Sequence, residues 1–292
     1  MYDTYTGKGS DGVNISVLTH QEVLRKIPDR PKDGHKGNFG KLLLLCGSVG
    51  CTGAAALAAM GALRCGAGLV YLGVPQSIYA IEAVKLTEPV VFPLPEEDGK
   101  FSSEVELSPL LKDKDAVLLG PGMGQSPGTR LLTLEILRQA QVPLVLDADG
   151  INVICGHKDV LRGRTAPTIL TPHAGEFSRL GGKIGTNREE NAMEFARQNR
   201  CILVLKGHHS VITDGLSCYR NPTGNPGMAT GGSGDVLAGM ITALIGQGLA
   251  PLDAAACGVW LHGAAGDVCA KNTGMYGMLP SDMLAEIPRL MK

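Results

Sequence analysis

Six short apolar runs without polar alternation constrain this chain more than any other feature. They are KLLLLCGS (41–48), LVYLGVP (69–75), AVLLGPG (116–122), PLVLDADG (143–150), TILTPHAGE (168–176) and CILVLKG (201–207). A strand with one wet face alternates apolar and polar residues. One that is apolar at successive positions is buried on both faces, as strands of a parallel sheet are. Helical segments separate the runs: an Ala-rich helix over Thr52–Ala67 with Gly61 inside it, a helix around Thr129–Gln139, and TNREENAMEFARQN (186–199), where Thr186 and Glu189 fit a helix start. The small residues of the Ala-rich helix imply close packing against the sheet. The pattern predicts an α/β fold with a mostly parallel central sheet and helices on both faces.

The ends of the chain read differently. In LTHQEVLRKIP, Thr19 and Glu22 fit a capping box and Pro28 stops the short helix. VITDGLSCY reads as a hairpin across Asp214-Gly215, and the sequence from Gly231 onward is largely helical. No linker or repeat interrupts the 292 residues, so the expectation is a single domain over 1–292, with 1–34 as an N-terminal extension carrying the short helix.

Composition narrows the function. Hydrophobic residues make up 44% and charged residues 19%, which excludes disorder as the dominant state. Lys+Arg 27 against Asp+Glu 28 gives a net charge of -1, which favours neither nucleic acid nor an anionic membrane as partner. No window reaches the roughly 18 apolar residues of a membrane span. Met1 to Asp33 has no apolar signal core. Cys46, Cys51, Cys65, Cys155, Cys201, Cys218, Cys257 and Cys269 form no Cys-x-x-Cys pair, and most lie in apolar runs. Free thiols in a reducing cytoplasm are the expectation, rather than zinc or disulfides.

In sheets of this kind ligands bind beyond the carboxyl ends of the strands. Those ends carry Gly47-Ser48, Gly120-Pro121-Gly122, Asp147-x-Asp149, Pro172-His173 and Lys206-Gly207. A second feature is the turn Gly231-Gly232-Ser233-Gly234 opening an apolar helix near Asp235. Consecutive glycines and the unpaired first-turn amides of a helix make an anion site suited to a phosphoryl group. Asp235 fits two roles there, a helix cap and a general base beside the phosphate. The turn is no P-loop, because no Lys-Ser/Thr follows its last glycine.

GGSGDVLAG, TPHAGE and VLKGHHSVI resemble the ribokinase-like superfamily, and within it the ADP/ATP-dependent NAD(P)H-hydrate dehydratases. HKGNFGKLLLLCGS, TGAAALAAMGALRCGAGLV, GPGMG, DADGIN, NPGMATGGSGD and LHGAAGD extend the likeness in order from about His35 to Asp267. Ser233 stands where Thr or Ala is usual in the family. The resemblance implies a ribokinase-like three-layer sandwich. It also implies dehydration of (6S)-NAD(P)H-hydrate to NAD(P)H, driven by ADP, or by ATP, with AMP or ADP and phosphate released.

The same resemblance implies site residues. Asp235 would be the catalytic base. Ala54, Gly122, Gly124, His173 and Asn225 would line the hydrate site with Asp235. Lys206, Gly207, His208, His209 and Ser210, with Gly231, Gly232, Ser233 and Gly234, would hold the nucleotide. Glu176 is either a magnesium ligand through water or a helix N-terminal carboxylate, and Asn225 is either a substrate ligand or a turn residue. Lys206, ending a buried strand, needs a partner in the nucleotide or in Asp147 or Asp149. For those two aspartates capping the DADGIN turn is the blander role beside metal or substrate binding, and Asn152 is unassigned. Mg2+ and ADP or ATP are the implied cofactor and co-substrate. A separate epimerase, a cytoplasmic location and a homo-oligomer, a tetramer in the family, complete the expectation. The competing readings are a kinase of a hydroxymethylpyrimidine or thiazole alcohol, which would release a stable phosphate ester, and a nucleotide-binding regulatory module.

Overall fold

The computed structural model describes residues 15–292, so the reading of Met1 to Asp33 lies partly outside the described residues. Twelve strands follow in chain order: β1 Ile15–Ser16, β2 Lys41–Leu45, β3 Leu69–Pro75, β4 Val90–Leu94, β5 Glu96–Glu97, β6 Lys100–Phe101, β7 Ala116–Leu119, β8 Leu144–Leu146, β9 Thr168–Leu170, β10 Ile202–Leu205, β11 Val211–Thr213 and β12 Cys218–Arg220. Ten of them form one sheet in the order β1-β12-β11-β10-β9-β8-β7-β2-β3-β4, while β5 and β6 pair as a separate ribbon. The sheet is parallel from β4 to β10. Only β11 runs against its neighbours. The chain order reverses between β2 and β7, with Leu42 opposite Ala116 and Leu45 opposite Leu119. That switch opens a crevice past the strand ends.

The lack of alternation has the cause the sequence suggested. Leu42 and Leu44 face one core with Val70, Leu118, Val145 and Ile169, beneath the helices Thr52–Arg64, Ser233–Gly246 and Pro251–Thr273. Leu43 and Leu45 face the other with Val117, Leu144, Leu170 and Leu203, beneath Pro127–Gln139 and Arg188–Asn199. All four leucines are buried. Each such side chain contributes about 1.5–3 kcal/mol relative to exposure.

Several local expectations need correction. The small residues of Thr52–Arg64 admit another helix more than the sheet. A Cβ on Gly61 would lie 2.5 Å from the Val236 carbonyl oxygen, and one on Gly239 would collide with the Ala58 carbonyl. The same helix stops at Arg64 rather than Ala67, since Gly66 (φ 97°) leaves the helical region. The helix read around Thr129 starts at Pro127, capped by the Ser126 side chain on the Thr129 amide. Thr186 caps nothing: the helix begins at Arg188 after Asn187, whose side chain reaches Glu190. The β11–β12 connection is four residues, Asp214 to Ser217, because Asp214 Oδ1 accepts the amides of Leu216 and Ser217 and draws both into the turn. The Thr19–Glu22 capping box forms as read. The stretch before residue 34 also supplies β1, paired with β12 at the sheet edge.

Candidate active site

At the switch point two strand ends are tied together. The Gly47 amide donates to the Pro121 carbonyl at 2.8 Å, and Ser48 Oγ to the Gly122 carbonyl at 2.7 Å. Gly122 takes φ 64°, and a Cβ there would lie 2.8 Å from the Ala54 methyl. Ala54, in the first turn of Thr52–Arg64, thus packs its methyl against bare backbone, and the two form one wall. The Gly124 amide donates to Asp149 Oδ2 at 2.8 Å, and Gln125 Nε2 to Asp149 Oδ1 at 3.1 Å. Asp149 therefore fixes the GPGMG turn instead of capping its own.

Two strands along, charge dominates. Asp147 is 1% exposed at the end of β8. Its Oδ1 accepts Lys206 Nζ at 2.7 Å and Thr171 Oγ1 at 2.6 Å. Asp147, and not Asp149, is thus the partner of Lys206. Burial works against the Lys206 charge, but Asp147, by charge and hydrogen bond, together with the charges of Glu176 and Asp235, holds the pKa above the ordinary lysine value. A Cβ on Gly234 would sit 3.2 Å from Lys206 Nζ and 3.6 Å from Asp147 Oδ2, so the pair lies directly under the glycine turn.

That turn reverses at Gly232, with φ 97°, and the helix starts at Ser233. Asp235 stands in its first turn, where backbone amides lack intrahelical partners. Its carboxyl is pushed up to about 6, first by burial and then by the like charge of Asp147, with Lys206 pulling the other way. A carboxylate so tuned suits proton abstraction near neutral pH better than capping. No cap bond is made by the residue before the helix, Gly232.

The loop after β10 completes this side. Ser210 Oγ accepts the Gly207 amide at 3.2 Å and donates to the Gly207 carbonyl at 3.0 Å. His208 and His209 lie with ring centroids 3.9 Å apart. Arg188, absent from the sequence reading, holds the loop from below: Nη2 donates to the Leu205 and Lys206 carbonyls at 2.8 and 3.0 Å, and Nη1 to His208 at 2.7 Å. Its only sequence signal was its place in the first turn of a helix.

The geometry thus joins a glycine turn opening a helix, a lysine and a poised carboxylate at the carboxyl edge of a mostly parallel sheet. A sequence model described as NAD(P)H-hydrate dehydratase matches residues 42–289. This chain belongs to that family.

Among NAD(P)H-hydrate dehydratase relatives, the bifunctional NAD(P)H-hydrate repair enzyme of Moorella thermoacetica is 45% identical over 288 residues, covering 96% of this chain and 54% of that protein. The chain spans about half the length of the curated relatives of this kind. A solved ADP/ATP-dependent NAD(P)H-hydrate dehydratase from Bacillus subtilis, co-crystallised with ATP/Mg2+, superposes with TM-score 0.83 at 31% identity, covering 95% of this chain and 98% of that one. A ribokinase-like superfamily protein from Enterococcus faecalis gives 0.82 at 29% identity, covering 94% of each chain. The fold is accordingly ribokinase-like.

The remaining family positions fall in local structures with their own logic. His173 caps the helix Ala174–Arg179: its Nδ1 accepts the Gly175 and Glu176 amides at 3.0 and 3.3 Å, while Glu176 Oε2 accepts the His173 amide at 2.9 Å. Nδ1 is therefore the unprotonated nitrogen, and Nε2 lies 3.4 Å from Glu176 Oε1. Glu176 fulfils the capping role open to it. Asn225 Oδ1 accepts the Gly227 amide at 3.0 Å, a turn role, and its Nδ2 donates to Asp267. Asn152 accepts Arg179 Nε at 2.9 Å, away from the glycine turn.

Proposed function

We propose that this chain dehydrates (6S)-NAD(P)H-hydrate to NAD(P)H, using ADP, or ATP, as phosphoryl donor. Asp235 carries the reading: a carboxylate tuned to about 6, in the first turn behind Gly231–Gly234 and beside the Lys206–Asp147 pair. Asp235 takes the proton of the hydrate hydroxyl as its oxygen attacks the terminal phosphorus, and the bond from phosphorus to the nucleotide breaks. The amides of the turn and the Lys206 ammonium offset the charge of the phosphoryl group in flight. The hydroxyl, a poor leaving group, becomes a phosphate ester. The ring nitrogen's electron pair then expels phosphate, and a proton leaves the neighbouring carbon to restore the reduced ring.

Ala54, Gly122, Gly124, His173 and Asn225 would take the hydrate in this reading, and Lys206–Ser210 with Gly231–Gly234 the nucleotide. Among the described residues no three His, Cys, Asp or Glu side chains gather as a metal cage. That fits magnesium, which keeps several waters and rides on phosphate oxygens with one or two carboxylates. Glu176, close enough to act on the Lys206 charge, is the carboxylate that would steady it through water while still capping its helix. Bound there, the ion would neutralise phosphate charge. All eight cysteines are free, which supports a reducing, cytoplasmic setting. An epimerase supplying the S epimer and a tetrameric assembly belong to the same reading.

Mixing the protein with hydrated NADH and ADP or ATP tests it. Return of reduced-nicotinamide absorbance is expected. Phosphorylation of hydroxyethylthiazole or hydroxymethylpyrimidine without that return would replace it with the kinase reading.

A further inference from the structure

The helix Pro251–Thr273 carries LHGAAGD, a motif the resemblance covers without giving it a task. One face of this helix touches both loops of the site. His262 Nε2 lies 3.4 Å from Ser233 Oγ of the phosphate turn, and both residues are buried. Farther along, Asp267 grips the other loop: Oδ2 accepts the Gly224 amide at 2.9 Å and Oδ1 accepts Asn225 Nδ2 at 3.0 Å. Between them the helix is bare. A Cβ on Gly263 would collide with Thr223, and one on Gly266 with the Met228 side chain. Thr223 Oγ1 donates to the Trp260 carbonyl at 2.9 Å. The segment Thr223–Met228 therefore lies directly on helix backbone.

We propose that Asp267 is the positioning residue of Asn225, and that the helix face from His262 to Asp267 holds the substrate loop in register with the phosphate turn. The assignment rests on the dehydratase reading above and deepens it. An asparagine amide has nearly the same shape either way round, so its neighbours decide which end faces a ligand. Here Oδ1 is committed to the Gly227 amide and one Nδ2 hydrogen to Asp267. The second Nδ2 hydrogen is what remains to offer, so Asn225 meets an acceptor on the hydrate, its hydroxyl or carboxamide oxygen. Burial pushes the His262 imidazole down to about 4, so its contact with Ser233 is between neutral groups at neutral pH and leaves the phosphate field unaltered.

Steady-state kinetics with hydrated NADH and ADP separates the two ends of this face. Asp267→Asn turns one acceptor into a donor facing a donor. It should raise KM for the hydrate about tenfold and leave KM for ADP within about twofold. His262→Leu should do the reverse, with His262→Gln, whose amide reaches the Nε2 position, recovering part of the loss. Equal movement of both KM values in Asp267→Asn, or movement of neither, overturns the proposal. If Asp267→Asn is too unstable for kinetics, the exchange Asn225→Asp with Asp267→Asn restores the bonds to the Gly224 and Gly227 amides and the bond between the two side chains, the last with donor and acceptor swapped. Recovery of the thermal midpoint supports the clasp, and no recovery overturns it. Wild-type protein that fails to turn over the hydrate would sink the underlying reading. Wild-type turnover with an unchanged KM in Asp267→Asn sinks only the role of Asp267.

Discussion

Around Asp235 charge dominates, with Lys206 Nζ 2.7 Å from Asp147 Oδ1 and also under the influence of Glu176 and Asp235, whereas the wall at Ala54 and Gly122 is a methyl group against backbone. In the proposed function, the phosphate end would recognise by field and the hydrate end by shape. The difference follows from the ligands each would meet. A phosphoryl group in flight needs preorganised charge, and a flat ring needs room and hydrogen-bond direction.

The strongest way to break this contrast is Asp235→Asn. Turnover should fall by about 10²–10⁴ while ADP still binds, measured by kinetics and by titration. Near-normal turnover would remove the base. For the parent, kcat/KM should fall as pH drops through about 6, where the carboxylate takes its proton. The same shift has a stability consequence. A carboxyl raised from 3.8 to about 6 on folding contributes most below 3.8, and that contribution is lost as pH rises through 6. Asp235→Asn should thus melt about 2–4 °C higher than the parent at pH 8, with no gain below pH 4.

Asp147→Asn comes next. It leaves Lys206 without its buried partner and removes a like charge from beside Asp235. Turnover should fall about a hundredfold, and the acid limb of the pH profile should move below 6. A limb that stays in place would show that burial alone tunes Asp235. The smallest effect belongs to the shape end. Gly122→Ala puts a side chain at φ 64° against the Ala54 methyl, and should raise KM for the hydrate about tenfold with ADP affinity unchanged. A matching change in ADP affinity would erase the division between the two ends.

Much of this was legible in the residues. Leu42–Leu45 announced a strand buried on both faces, and Gly231–Asp235 announced a glycine turn opening a helix, because both depend on local pattern. Asp147 was visible as a charge at a strand end, but its pairing with Lys206 depends on β8 and β10 lying either side of β9, which no single segment records. Arg188, His262 and Asp267 act across 17 to 43 residues of sequence on backbone or side-chain atoms, so nothing beside them marks them out. The short edge strand β4, VVFPL, escaped because it is half exposed and carries Pro93.

The bare contact between Gly61 and Val236 has one more consequence. Where Gly61 meets Val236 and Gly239 meets Ala58 there is only backbone on the glycine side, so no rotamer change at these glycines can adjust the spacing. The gap from the Ala54 wall to the Asp235 carboxylate is therefore set like a ruler, by the radius of the peptide itself. Selection can retune the side chains of the site or its loops, but the span between them is a fixed length inherited with the fold.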